Sequence, residues 1–323
     1  MTAQRLLAIV QSCSNLDAQV AWYRDHLGFQ EQSRDLLEGP WISGLFGCSA
    51  ELRIARSILR LGSEQLQLWQ WHGGSGADSA AALMAPVPAD SRSNDGWFQH
   101  ICMVTHDLNG CYSGSLQRDS QPISSAVQTL PAWNEGAAGI QAVKFTDPLG
   151  HPLELLEFPA DKGHPRWHTQ PSPAALPMGI DHTAIGISDT ETSLRFYRDG
   201  LGLQVMGGSV NHGPEQDGLD GLDQTWVVIT SLRPVAGDLG IEFLNYQQPA
   251  GGRPRAMPQV TDLCDWKILL EASDLDQQHA SLQASEWGRS CGPLVSLDPS
   301  VCGKARGFFV RDPDQHAVVV VGD

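Results

Sequence analysis

β-prone residues of alternating character run through residues 180–187, with the letters IDHTAIGI. Successive side chains of a strand point to opposite faces, so this pattern predicts a β-strand with His182 on one face. Asp189 then supplies the chemistry of a helix N-cap, and apolar residues at helical spacing follow it. Gly200 ends the predicted helix, because glycine tolerates the left-handed conformation found there. Residues 179–203 therefore predict a strand, a capped helix and the return into a new strand.

The same unit occurs four times along the chain. The helix VAWYRDHLGF at 20–29 repeats as LRFYRDGLGL at 194–203, and weaker copies begin at Ile101 and Ile268. Each half also contains an Asp-Pro turn that leads into a final strand, as such turn residues predict. Because repeats settle the architecture first, we expect four modules of strand, helix and three strands. The predicted modules span 5–71, 97–158, 178–247 and 263–321.

Two domains are the natural expectation for a chain of 323 residues. We predict an N-terminal domain at 1–158, a Pro-rich linker at 159–177 and a C-terminal domain at 178–323. A connector rich in Gly, Ser, Ala and Pro, residues 72–94, separates the first two modules. The Gly- and Asp-rich segment 207–223 is long enough to form a lid over a site, and a surface insertion is the alternative.

Charge and cysteine content narrow the function. The formal net charge of −16 at pH 7 argues against a nucleic-acid or anionic-membrane partner, since phosphate binding needs clustered Lys and Arg. The seven cysteines form no Cys-x-x-Cys pair, which predicts reduced thiols and a cytoplasmic protein. The start of the chain does not resemble a signal peptide, and no apolar run is long enough to span a membrane. We expect a small-molecule substrate and a monomer or homodimer.

Three features together resemble the vicinal oxygen chelate superfamily, which includes glyoxalase I, extradiol dioxygenases, methylmalonyl-CoA epimerase and bleomycin-resistance proteins. These are the histidine of the first strand, the helix end (F/W)YRD-x-LG and the hairpin DPLGHPLEL at 147–155. The resemblance implies an α+β fold, with four βαβββ modules paired into two curved-sheet cups. In this family a cup holds a divalent metal. The ligands are His or Gln on a first strand and Glu on a last strand.

Carried over by position, the family pattern gives His100 and Glu154 in module two, and His182 and Glu242 in module three. These four residues meet in one cup only if modules two and three pair with each other. Single-chain glyoxalase I and some hydroquinone dioxygenases of the family are said to pair modules in this interleaved way. We therefore expect interleaved pairing and one site with four metal ligands.

The outer modules carry no comparable set. Module one offers Ala8 and Gln67, and module four offers Lys267 and Val319. Ala and Val cannot bind a metal, and a cationic Lys would repel one. Under the alternative, tandem pairing, Gln67 would join the two ligands of module two in a three-ligand site. Under interleaved pairing, the outer cup formed by modules one and four is a degenerate structural cup or an effector pocket.

Two imidazoles and two carboxylates suit one divalent transition metal, Fe, Ni, Co, Zn or Mn, better than Ca or Mg. Such a metal polarises substrate oxygens, and Glu154 or Glu242 could take the substrate proton as general base. The resemblance thus implies a metal-dependent, glyoxalase-like lyase or isomerase. It would act on a small oxygen-rich substrate through a metal-stabilised enediolate.

Two alternatives stay open. An Fe(II) extradiol-type ring-cleavage dioxygenase of this family uses two His and one Glu, and the spare fourth carboxylate argues against it. A non-catalytic small-molecule binding or resistance protein would explain the missing ligands of the outer modules. Among other conspicuous residues, we assign Trp133, Trp226 and Tyr246 to core or rim packing, and His151 and His316 to structural roles.

Overall fold

The computed structural model describes residues 3–48, 51–73, 84–169, 175–250, 252–298 and 300–323. Residues 74–83 of the predicted connector and 170–174 of the predicted linker lie outside the described residues.

The described residues form strands and short helices in the predicted order. The strands are β1 (Ala3–Ser12), β2 (Gln30–Leu37), β3 (Leu52–Leu61), β4 (Glu64–Gly73), β5 (Gln99–Val104), β6 (Gln121–Pro122), β7 (Gln128–Thr129), β8 (Gln141–Thr146), β9 (Pro152–Glu157), β10 (Gly179–Gly186), β11 (Gln204–His212), β12 (Trp226–Arg233), β13 (Gly240–Gln248), β14 (Lys267–Ala272), β15 (Val295–Ser296), β16 (Arg306–Arg311) and β17 (Ala317–Gly322). The helices are α1 (Leu16–Leu27), α2 (Pro40–Phe46), α3 (Leu108–Cys111), α4 (Gly114–Arg118), α5 (Arg166–Thr169), α6 (Thr190–Leu194), α7 (Pro214–Asp220) and α8 (Leu275–Gln283). A π-helical turn, Arg195–Gly200, continues α6.

The strands form two large sheets. Sheet A has the order β15-β16-β17-β14-β1-β4-β3-β2, and sheet B has the order β11-β12-β13-β10-β5-β9-β8-β6. The antiparallel pair β1/β14 joins modules one and four, and the antiparallel pair β5/β10 joins modules two and three. The α+β fold of four modules in two sheets and the interleaved pairing are thus confirmed, and the tandem alternative is wrong. Each sheet draws on both halves of the chain, and the predicted domain boundaries stay a prediction.

Each sheet has one face in a shared apolar core and one face in its own cup. Strand β5 shows how alternation achieves this. Ile101 and Met103 belong to the core that joins both sheets with helix α1, whereas Cys102 packs in the cup of sheet B. His100 lies on the same face as Cys102 and lines a cavity there. The strand period therefore decides which residues reach the cup.

A polar contact holds the two sheets together in the N-terminal half. The Tyr23 hydroxyl of α1 lies 3.3 Å from the carboxylate of Asp147, which belongs to the Asp-Pro turn of module two. His151 Nδ1 lies 2.8 Å from the same carboxylate, and its Nε2 lies 3.1 Å from the carbonyl oxygen of Leu263. The helix motif and the turn motif are therefore physical partners that connect sheet A to sheet B.

The C-terminal half contains the equivalent contact, in which the tyrosine belongs to a module of sheet B and the aspartate to a module of sheet A. Tyr197 of the π-helical turn in module three donates to Asp312 of the Asp-Pro turn in module four at 3.1 Å, and the backbone N–H of His316 donates to the same carboxylate at 2.7 Å. His316 Nε2 lies 2.7 Å from the carbonyl oxygen of Gly186. Both His151 and His316 are fully buried, and their ring contacts link the two sheets.

His316 should make stability depend on pH. Burial and the nearby Arg255 cation lower its pKa to about 3, so only the unfolded chain takes up this proton between about pH 6.5 and 3. The free energy of unfolding should therefore fall as the pH falls through this window. His316→Gln keeps a donor for Gly186 but does not titrate. In urea unfolding, the wild type should lose up to about 1.4 kcal/mol per pH unit more than the variant; equal slopes would contradict this assignment.

Candidate metal centre

The four predicted ligands lie on four adjacent strands in the middle of sheet B. His100 is on β5, Glu154 on β9, His182 on β10 and Glu242 on β13. All four line one cavity on the cup face. Strand neighbours of His100, Glu154 and Glu242 belong to the shared core, whereas Asp181, beside His182, also lines the cavity. Alternation along the strands and the interleaved pairing together bring them to one place.

Three of the four form a tight cluster. One ligand atom each of His100, Glu154 and His182 lies within 4.8 Å of the others, and His100 Nε2 is 3.0 Å from Glu154 Oε2. Glu242 lies beside them, with Oε2 at 3.3 Å from His182 Nε2. Its Oε1 accepts a hydrogen bond from the Ser231 hydroxyl at 2.5 Å, and its side chain is 23% exposed. Glu242 is thus the most accessible member at the cavity edge.

The imidazoles carry unpaired nitrogens. Within the described part of the chain, Nδ1 and Nε2 of His100 and Nε2 of His182 are buried and make no hydrogen bond of regular geometry. The two Nε2 atoms lie 3.0 and 3.3 Å from Glu154 and Glu242 without that alignment. Leaving buried polar atoms unpaired is costly, so such atoms call for an explanation. A cation between the two Nε2 atoms and Glu154 would satisfy both, since neutral imidazole and carboxylate are the usual ligands of transition metals. The residues present therefore fit a divalent metal.

A hydrogen-bond chain fixes the orientation of His182. Its Nδ1 lies 3.0 Å from Asp181 Oδ2, which leaves Nε2 to face the cluster. Asp181 accepts in turn from Trp167 Nε1 at 3.1 Å and from Arg233 Nη2 at 3.1 and 3.2 Å. Partners of this kind set the tautomer and ring orientation of metal-binding histidines. Trp167 belongs to the predicted linker, so that segment reaches the candidate site.

Burial and the neighbouring charges shift the pKa values of Glu154 and His182 in opposite directions. Burial raises the pKa of Glu154, but the charges of Lys144 and His100 outweigh it and hold that pKa at about 2. Burial lowers the pKa of His182, but Glu242 and Asp181 outweigh it and raise that pKa to about 9. The surrounding carboxylates thus stabilise the protonated, positively charged form of His182.

The charge balance of the cup leaves room for a dication. Among the described residues, the cavity is lined by the carboxylates of Glu154, Asp181 and Glu242, and Asp220 adds a fourth beside Lys144. The cations that line it are Lys144 and Arg233. With both imidazoles neutral, the carboxylates exceed the cations by two charges. One divalent ion would neutralise the site.

The cluster opens into a cavity of about 570 Å³. Its walls include many apolar side chains: Leu130, Ile140, Leu156, Phe158, Met206, Leu219, Ile229 and Leu244. The predicted lid segment 207–223 forms the end of β11 and helix α7, and its Gln216 and Leu219 line the cavity. The Ser124 hydroxyl donates to the Leu219 carbonyl at 2.6 Å, which holds α7 against module two. The surface-insertion alternative is therefore wrong, and α7 is a wall of the cavity.

An internal repeat that sequence reasoning missed distinguishes the two cups. Residues 39–47, GPWISGLFG, and 213–221, GPEQDGLDG, share their Gly, Pro and Leu positions and form α2 and α7 in the two cups. In sheet A, Ile42 and Phe46 of α2 join the aromatic side chains of the sheet in a solid apolar cluster. The equivalent positions of α7 are polar. Aligning the repeats would have revealed this contrast.

The cup of sheet A offers no equivalent cluster. Ala8, Gln67, Lys267 and Val319 are all buried in it, and Gln67 Oε1 accepts from Trp69 Nε1 at 3.1 Å. Lys267 Nζ donates to the carbonyl of Asp265 at 2.6 Å and pairs with its carboxylate at 3.3 Å. No second group of three potential ligands occurs in the described ranges. A cavity of about 520 Å³ is lined by Gln67, Leu269 and Val301 at this sheet, so a structural cup and an effector pocket both stay predictions.

The rim of the open cup carries an aromatic stack. Trp133 stacks on His212 with ring centroids 4.1 Å apart, and Trp226 stacks near the same ring at 5.4 Å. Trp133 and Trp226 are about half exposed, which confirms their assignment to the rim.

Comparisons with known proteins agree with this fold. The model of the Glyoxalase/Bleomycin resistance protein/Dioxygenase superfamily matches residues 179–320, so this part of the chain is similar to that superfamily. Glyoxalase I from Zea mays is 12% identical with a TM-score of 0.58, over 98% of this chain and 92% of that one. A candidate dioxygenase from Bacillus subtilis is 12% identical with a TM-score of 0.55, over 100% of this chain and 86% of that one.

The predicted resemblance to vicinal oxygen chelate proteins is confirmed, and the solved structures show that the fold extends over the whole chain. None of the curated proteins compared with the sequence matches it significantly. Among the described helices, none combines the length and the apolar character that crossing a membrane requires.

Trp167→Phe tests the chain that orients His182. The substitution keeps the ring but removes the hydrogen bond to Asp181, so Co²⁺ affinity should fall about tenfold or more. Affinity is measured by competition with a chelator. Trp69→Phe is the matched control, because it removes an indole hydrogen bond in the other cup. Equal Co²⁺ affinities of both variants and the wild type would contradict the orienting role.

Proposed function

We propose that the cup of sheet B is a metal-dependent active site for a small-molecule substrate. His100, Glu154 and His182 would hold one divalent transition metal, Fe, Ni, Co, Zn or Mn, with Glu242 as a fourth ligand or an adjacent base. The observation that carries this proposal is the convergence of buried, unpaired imidazole nitrogens on a carboxylate within 4.8 Å.

The two glutamates are suited to different roles. A divalent ion in this site would supply Lewis-acid polarisation of substrate oxygens. Glu154 is buried and remains ionised because Lys144 and His100 stabilise its charge, which suits a permanent ligand. Glu242 stands at the cavity edge, with a hydroxyl partner and partial exposure. It is placed to take a proton from a bound substrate as general base.

These roles favour proton transfer, and hence a glyoxalase-like lyase or isomerase acting on a small oxygen-rich molecule. With a substrate bound, the apolar walls of the cavity would limit water around the transferred proton. The fold shared with glyoxalase I over nearly the whole chain supports the same class.

An Fe(II) dioxygenase is the second candidate. The inner cluster contains two His and one Glu, the ligand set of many non-haem Fe(II) oxygenases. Glu242 would then be a residue of the cavity wall. The metal preference separates the two candidates.

Elemental analysis of protein purified without added metal or chelator tests the site. We expect about one transition-metal ion per chain in the wild type. His100→Ala/Glu242→Ala should lose it, because one imidazole ligand and the adjacent carboxylate are gone. Gln67→Ala, in the cup of sheet A, is the control and should retain it. Absence of metal from the folded wild type, even after incubation with these ions, would contradict the metal-dependent proposal and favour a non-catalytic binding protein.

The loaded protein then separates the reactions. Activity with Ni²⁺ or Co²⁺ on a hemithioacetal would support the lyase. Activity on a catechol that is lost in air and restored by Fe(II) with reductant would instead support the dioxygenase.

A further inference from the structure

A buried ion pair lies between the floor and the wall of the open cup. Lys144 of β8 donates from Nζ to Asp220 Oδ1 of α7 at 2.6 Å, and the two side chains are 4% and 0% exposed. Gln216 Nε2 donates to the other oxygen of Asp220 at 2.7 Å. Both oxygens of this carboxylate are therefore engaged, and its position is fixed.

The ammonium group retains donor capacity. An ammonium group has three N–H donors, and within the described residues Nζ of Lys144 makes one hydrogen bond, to Asp220. Lys144 lines the same cavity as the metal cluster and pairs in register with Glu154 on the neighbouring strand. Two donors are thus available at the side of the candidate metal site.

The cup of sheet A shows which residues the fold accepts at the positions equivalent to Lys144 and Asp220. By the Asp-Pro turns, Lys144 corresponds to Phe309, and by the α2/α7 repeat Asp220 corresponds to Phe46. Phe309 and Phe46 pack against each other, with ring centroids 5.4 Å apart. The fold therefore accepts an apolar pair here.

An ion pair is a costly alternative to such a contact. Removing two charges from water is expensive, and apolar replacements of buried ion pairs are often neutral or stabilising. The polar version occurs in the cup with the metal cluster, and the apolar version occurs in the cup of sheet A. Stability alone does not explain this difference.

We propose that Lys144 binds an anionic oxygen of the substrate beside the metal, and that Asp220 is the residue that positions it. This inference rests on the proposed function. It assigns to the cup a second electrophilic group, which stabilises negative charge on a substrate oxygen while Glu242 holds the abstracted proton. The ligand class is a small molecule with vicinal oxygens, at least one of which carries or develops negative charge.

Acetohydroxamic acid is a suitable probe, because its anion presents two neighbouring oxygens. Titration into the Co²⁺-loaded protein is followed by calorimetry, with metal content measured on each sample. Lys144→Met should weaken probe binding about tenfold or more, since a hydrogen bond to a charged group is lost. Metal content should remain at that of the wild type. Lys267→Met removes the buried lysine of the other cup, and should leave probe binding unchanged.

A double variant separates a loss of probe binding from a loss of the fold. Lys144→Met/Asp220→Leu removes both charges and should fold, with a melting temperature no lower than that of Lys144→Met and with probe binding still weak. Probe affinity equal to that of the wild type in either variant with full metal content would overturn the role of Lys144 alone. A wild type that binds no metal would overturn the proposed function together with it.

Discussion

The antiparallel pairing of β5 with β10 is the contact on which the candidate site depends. It places His100 and His182 on neighbouring strands, with their last-strand glutamates on the flanks. Thr183 strengthens this pairing, because its hydroxyl donates to the His100 carbonyl at 2.9 Å and accepts from Gln99 at 3.1 Å. If each half had closed its own sheet instead, no cup would hold more than one of these histidines.

The interleaved arrangement also requires contacts that join the sheets. Tyr23 with Asp147, and Tyr197 with Asp312, connect modules that follow one another in the chain but belong to different sheets. The same residues that mark the repeat in the sequence therefore hold the two cups in one molecule. The cup of sheet A contains the large aromatic cluster, and the cup of sheet B contains the His and Glu cluster. Helices α2 and α7 share their Gly, Pro and Leu positions, and a few substitutions between these positions distinguish the two cups.

The four modules and the faces of their strands could be predicted from the sequence, because strand alternation and repeated turns are local signals. The resemblance to vicinal oxygen chelate proteins implied His100, Glu154, His182 and Glu242 as ligands, and the repeated modules gave their positions. Lys144 escaped prediction, because a lysine inside a strand carries no local sign of burial. Its meaning depends on Asp220, which lies 76 residues away and meets it only in the folded chain.

Anomalous diffraction from crystals grown with Co²⁺ would test the central claim most directly. We expect one strong peak in the cup of sheet B, within about 2.2 Å of Nε2 of both His100 and His182, and none in the cup of sheet A. A peak elsewhere, or none in a protein that folds as described, would contradict the assignment of the open cup as a metal centre.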